Sequence, residues 1–144
     1  LPFTDEQLNP DQSILKGEFL QILRRIRNND IGIPIPVELM SFAKANNIML
    51  DDEDKWNVNQ KLNRQDSAQM LVNYMGYEDI STLDIYKLDY KDANMVSANR
   101  KGAVAICGGM NIMNGSNGYF LPQKELSRAE GITIIARFLK AEIK

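Results

Sequence analysis

The chain has 144 residues, 44% hydrophobic and 25% charged, enough for one domain with a real core. Its 17 basic and 19 acidic side chains leave a net charge of −2, which disfavours a generic nucleic-acid or anionic-membrane binder. Histidine is absent, which removes the usual general base and the commonest metal ligand, and a single cysteine, Cys107, excludes an intrachain disulfide or a Cys-rich zinc site.

The chain opens Leu1-Pro2-Phe3 without initiator Met, basic n-region or apolar h-region, so no signal peptide is expected within this fragment, which reads as a processed or excised piece of a longer chain. No apolar run is long enough to span a membrane. The first helix is expected over 14–28, with Ser13 as its cap and Asn28-Asn29 at its end. Pro34 and Pro36 lead into a second helix over Val37 to Asn46, carrying Leu39, Met40, Phe42 and Ala43. Asp51-Asp52-Glu53-Asp54 superficially suggests calcium. It lacks the alternating ligands and distal Glu of an EF-hand and reads as a solvated acidic loop. A third helix over 63–75 ends at Gly76, with Asn63 and Asp66 as a weak capping box. Asp84-Ile85-Tyr86 is expected to form a short extra helix. Ser97 to Cys107 is helical and stops at Gly108-Gly109, with Cys107 buried rather than reactive. The last helix, over 127–140, opens on a capping box of Ser127 and Glu130. Strict alternation is confined to Ile31–Val37, where two prolines spoil it, so a sheet is excluded.

Three of these helices share one register. Ser127-Arg128-Ala129-Glu130, Asn63-Arg64-Gln65-Asp66 and Leu15-Lys16-Gly17-Glu18 each place a base second and an acid fourth. Seven residues before each anchor stands a bulky apolar residue: Phe120, Trp56 and Leu8. Seven, eight and eleven residues past each start stand Ile22, Leu23 and Ile26; Met70, Leu71 and Tyr74; Ile134, Ile135 and Phe138. That spacing puts each trio on one helix face. Met110-Asn111-Ile112-Met113 likewise matches Asn46-Asn47-Ile48-Met49, making Ile112 and Ile48 equivalent. The repeat signature therefore precedes any local assignment.

The third repeat resembles an S-layer homology (SLH) module. The residues that carry this are Tyr90-Lys91-Asp92, the helix Ala98 to Cys107, and Gly109 through Gly115. They continue through Gly118-Tyr119-Phe120-Leu121-Pro122 to Ser127-Arg128-Ala129-Glu130. The resemblance implies an all-α fold: a pseudo-threefold spindle with a central three-helix bundle and helical prongs. On it, residues 1–29 are the second half of a repeat, 30–76 a degenerate repeat, 77–89 an inserted linker or short helix, and 90–144 a well-matched repeat, all in one compact domain. Because the first repeat lacks its front half, its central helix is expected to leave an apolar flank. The insert, with Ile80, Leu83, Ile85, Tyr86 and Leu88, or a second chain would cover it.

The resemblance also implies a function: non-catalytic anchoring of a secreted bacterial protein to the cell surface, in the cell wall or S-layer, through secondary cell-wall polysaccharide bearing a pyruvylated amino sugar. It implies no cofactor, no metal and no membrane insertion, with other surface-layer proteins as further partners. A ketal carboxylate suits a guanidinium fork. Arg128, Arg64 and Lys16 supply positive charge, and Asp92 supplies a carboxylate for sugar hydroxyls. Tyr119 is the ring platform, whereas Phe120 and Trp56 read as core plugs. The loop from Asn114 and Gly115 to Gly118 lets backbone approach a ligand, though it is a turn first. Glu130 reads as a cap, and Arg24, Arg25 and Arg27 as a helix face complementing the C-terminal dipole. Arg128 heads the binding assignment, because its repeat keeps every family element. Lys16 lacks the fork, and Gln65 and Asp66 depart from the family's Ala and Glu. The competing reading is therefore a degenerate module used for protein–protein interaction or surface-layer assembly. An enzyme is disfavoured, with no nucleophile motif and no Gly-rich phosphate loop.

Overall fold

The computed structural model describes residues 9–28, 36–50 and 57–142. Leu8, Pro34, the Asp51–Asp54 loop and Trp56 lie outside the described residues, as does most of Ile31–Val37. Among the described residues the protein is all-α, with six α-helices and no strand or sheet. These are α1 (Lys16–Asn28), α2 (Pro36–Ala45), α3 (Arg64–Tyr74), α4 (Glu78–Ser81), α5 (Lys101–Gly109) and α6 (Arg128–Glu142). Short 3-10 turns at Ala93–Met95 and Ala98–Arg100 precede α5.

A ring of backbone hydrogen bonds joins α1, α3 and α6 at their N-terminal ends. Ile14, Leu62 and Leu126 each stand immediately before an anchor start and are fully buried. The Ile14 N–H donates to Leu126 O at 2.9 Å, Leu126 N–H to Leu62 O at 2.9 Å, and Leu62 N–H to Ile14 O at 3.2 Å. A second triplet runs the opposite way: Lys16 N–H to Gln60 O at 2.8 Å, Arg64 N–H to Lys124 O at 3.0 Å, and Arg128 N–H to Gln12 O at 2.8 Å. A third follows it: Gly17 N–H to Val58 O at 2.8 Å, Gln65 N–H to Pro122 O at 3.0 Å, and Ala129 N–H to Pro10 O at 3.1 Å. Each lead-in segment pairs with both others. The ring thereby satisfies helix-start N–H groups that have no partner inside their own helix.

Below the ring the shared register becomes a shared core. Of the nine expected core residues, Ile22, Leu23, Met70, Leu71, Tyr74, Ile134, Ile135 and Phe138 are buried. Each buried aliphatic side chain contributes about 1.5–3 kcal/mol relative to exposure. Ile26 is the exception at 37% exposed. Its equivalents Tyr74 and Phe138 reach inward with long rings that meet edge-on at 5.6 Å, and Tyr74 Oη donates to Leu23 O at 3.1 Å. The shorter isoleucine has no such reach.

α2 packs on α1 and α5 packs on α3, while α4 lies against α5 and α3. The insert therefore does not cover α1; α2 already does. Its helix is Glu78–Ser81 rather than Asp84–Tyr86, and Tyr86 Oη instead donates to Ile80 O at 2.7 Å. Gly102 explains the close seat of α4: a Cβ there would lie 1.9 Å from Ser81 O. Ser13 does not cap α1, since its hydroxyl meets Glu125 at 3.5 Å and Glu18 caps back onto the Leu15 N–H at 2.9 Å. α5 stops at Gly109, within the expected Gly108-Gly109 pair and two residues before Asn111. Asn111 and its equivalent Asn47 have φ of 59° and 57°, and Ile112 and Ile48 N–H close back on Cys107 O and Ala43 O.

Candidate functional site

The third repeat folds its loop around one carboxylate. Asp92 accepts the N–H of Phe120 on Oδ1 and that of Leu121 on Oδ2, both at 2.9 Å. Leu121 is held there at a φ of 60°, a conformation a leucine rarely adopts. Ser116 and Tyr119 exchange backbone hydrogen bonds of 2.8 and 3.0 Å across Asn117 and Gly118. Both central residues have positive φ, 54° and 86°, as an Asn-Gly tight turn demands. Gly115 sits where a Cβ would lie 2.3 Å from Tyr119 O and 2.8 Å from the Tyr90 ring. Phe120 is fully buried, a core plug beside Tyr90, whereas Tyr119 is 43% exposed with Lys91 Nζ 5.4 Å from its ring centre.

Arg64 is the arginine that reaches this loop. Its Nε donates to Phe120 O at 2.6 Å and its Nη2 to Asn114 O at 3.2 Å, with the guanidinium 4.8 Å from the Phe120 ring centre. Burial pulls the guanidinium below its ordinary pKa; Glu130, Tyr90 and Asp92 oppose that shift, and Arg137 adds to it. A guanidinium carries five N–H donors, so two carbonyls leave donors for a ligand. Arg64, Asp92, Asn114, Gly115 and Tyr119 are thus brought to one loop.

Arg128 and Lys16 are engaged elsewhere. Arg128 Nη2 pairs with Glu18 Oε2 at 2.7 Å, across the junction of the third and first repeats, with side chains 12% and 17% exposed. Lys16 Nζ donates to Gln60 Oε1 at 2.9 Å. The two charged positions of the anchor thus join neighbouring repeats here. The second anchor also reaches the next segment, but with other partners: Asp66 pairs with Arg100 at 2.9 Å rather than with an anchor residue. Glu130 is the expected cap: it takes the Ser127 N–H at 3.0 Å and gives its own N–H to Ser127 Oγ at 3.1 Å. Arg27 does more than complement a dipole, donating to Asn46 Oδ1 and to Tyr74 O.

The sequence reading missed the ring residues Ile14, Leu62 and Leu126, whose signal is an aliphatic residue directly before each anchor. Burial pushes the Cys107 thiol up to about 12, which leaves it protonated and unreactive at neutral pH. Among the described residues no cluster of His, Cys, Asp or Glu side chains could hold a metal ion, and no helix is long and apolar enough to cross a membrane.

A backbone ring that ties three helix starts together, with an Asp-clamped loop on the third of them, defines an all-α module. Residues 89–130 match the family model of the S-layer homology domain. The matched span holds Asp92, the whole loop and the third anchor; Arg64 and Lys16 lie outside it. No curated protein sequence matches the chain. S-layer homology domains are in general non-catalytic modules that attach proteins to the cell surface through cell-wall polymers.

Proposed function

We propose that this protein is a non-catalytic anchoring module that binds secondary cell-wall polysaccharide through a pyruvylated amino sugar and tethers a secreted bacterial protein to the cell surface. The observation that carries the reading is the junction of Arg64 with the third repeat. A forked cation on α3 lies across Asn114 and Phe120, within the same loop that Asp92 holds and Tyr119 edges. In this reading the ring closes one end of a pseudo-threefold spindle, with segments 1–29, 30–76 and 90–144 as its repeats. The ketal carboxylate takes the remaining Arg64 donors, and the sugar face lies on Tyr119. Arg128 and Lys16 act in the protein's own junctions.

Calorimetric titration with purified wall polysaccharide, native and stripped of pyruvate, tests this. Arg64→Lys is expected to weaken binding by about 1.5–3 kcal/mol, the range for hydrogen bonds to a charged group, because charge is kept and the fork is lost. Arg128→Lys is expected to lower the melting temperature and leave affinity intact. Affinity indifferent to pyruvate, or insensitive to Arg64→Lys in folded protein, refutes the reading. Leu83, Ile85, Met95 and Leu121 are exposed, and they favour a protein-interaction or surface-layer assembly role in that event.

A further inference from the structure

The fold builds one cavity twice and gives the two copies opposite charge. Between the end of α3 and the loop after α2 lies a cavity of about 490 Å³ that includes Asn46, Asn47, Asn73 and Gly76. Between the end of α6 and the loop after α5 lies another of about 430 Å³, with Asn111, Asn114 and Gly115 on one wall and Arg137, Lys140 and Ala141 on the other. The two are in register: Asn47 matches Asn111, Asn73 matches Arg137, and Gly76 matches Lys140.

The first cavity carries its own cation. The Arg27 guanidinium donates to Asn46 Oδ1 and to Tyr74 O and lies 4.0 Å from the Tyr74 ring centre, with Glu78 and Asp79 also lining the cavity. The second cavity has two cations where the first has an amide and a glycine, and no carboxylate lines it. Among the described residues neither Arg137 nor Lys140 makes an ion pair with the protein. Asn114 Nδ2 donates to Asn111 Oδ1, which leaves the Asn111 amide donors for a ligand. Two basic residues near a helix C-terminus also suit the helix dipole. That accounts for their sign, not for their convergence with two amides on one cavity.

We propose that the cavity between α6 and the Asn111–Gly115 loop binds the oxyanion, carboxylate or phosphate, of an acidic saccharide. Arg137 supplies the forked contact, Lys140 a point charge and Asn111 a neutral donor. This rests on the glycan-anchoring reading only in sharing the Asn114–Gly115 wall; its cations are different. It gives the groove a second acidic subsite, so a polymer with acidic groups at successive residues engages Arg64 and Arg137 together.

The test is NMR titration of the folded protein with glucuronate, glucose 1-phosphate and glucose. Saturable shifts of the Gly115 backbone amide and the Asn111 side-chain amide are expected with the two acidic sugars and not with glucose. The stronger acidic sugar identifies the oxyanion. Arg137→Gln with Lys140→Gln, both at exposed positions, is expected to weaken that binding by at least about tenfold. Arg64→Lys is expected to keep the saturable acidic-sugar shifts that the double substitution removes, while weakening the polysaccharide, which separates the two sites. Equal shifts with glucose, no saturable shift, or binding that survives the double substitution overturns the proposal. So does loss of acidic-sugar binding in Arg64→Lys.

Discussion

Asp92 holds a leucine in a left-handed conformation by accepting two adjacent backbone N–H groups. Asp92→Asn turns one acceptor into a donor facing a donor. It is expected to cost about 1.5–3 kcal/mol, as for hydrogen bonds to a charged group, and to speed hydrogen exchange at the Phe120 and Leu121 amides. Glu130 supports a pH prediction. Burial pushes its carboxyl up, but hydrogen bonds from Lys124 and with Ser127 together outweigh it and hold it below its ordinary 4.5. A carboxylate with a depressed folded pKa adds stability that is full above the unfolded value and lost as pH falls through the folded one. Melting temperature should therefore fall with pH below about 4.5, and Glu130→Gln, which keeps the acceptor, should flatten that fall. At this scale the sequence was legible where chemistry is local, as in the Ser127 capping box. It was not legible where partners lie far along the chain: the Asp92 clamp spans 28 residues and the Arg128–Glu18 pair spans 110.

α3 hides a polar stripe as well as an apolar one. Gln65, Gln69 and Asn73 recur every fourth residue, all buried. Gln65 bonds Ser97 at 2.9 Å, Gln69 bonds Asn73 at 2.8 Å and Ser81 at 3.1 Å, and Asn73 bonds Asn47 O at 2.8 Å. The stripe fastens α3 to the turn before α5, to α4 and to the loop after α2. Gln69→Ala removes the donor to Asn73 Oδ1 and one of two bonds at Ser81 Oγ, and is expected to cost about 1–3 kcal/mol, measured by denaturant unfolding. Periodicity reveals which face is apolar, so the buried faces of α1, α3 and α6 were legible. It does not reveal that a polar face is glued, which is why α4 and the late start of α5 were missed: both are set by Ser81, Ser97 and the tight seat at Gly102.

Across the whole molecule, eight of the nine trio residues join one core, and Ile135 is 3% exposed among them. Ile135→Ala is expected to lower stability by about 2–5 kcal/mol, read as a shift in urea midpoint without change of slope. That three helices start from equivalent positions was legible because anchors and trios keep one spacing. Its closure was not, because backbone carbonyls carry no sequence signature. Nor was the covering of α1 by α2: the pairing of each prong with the preceding anchor is a matter of connection, and composition does not record it.

The ring also imposes an order in time. Its bonds join residues 10–17 to 58–65, those to 122–129, and the last set back to the first. A chain threaded N-terminus first through a ribosome or secretion channel can pair its first two segments early. The Leu126 carbonyl and the Arg128 and Ala129 N–H groups emerge last of the three segments. Until then the Ile14 N–H and the Gln12 and Pro10 carbonyls stand open to water. Contacts so far apart in sequence make for slow closure. Until that last pairing the ring stays open, and the locking step falls to the segment that carries the Asp92 loop.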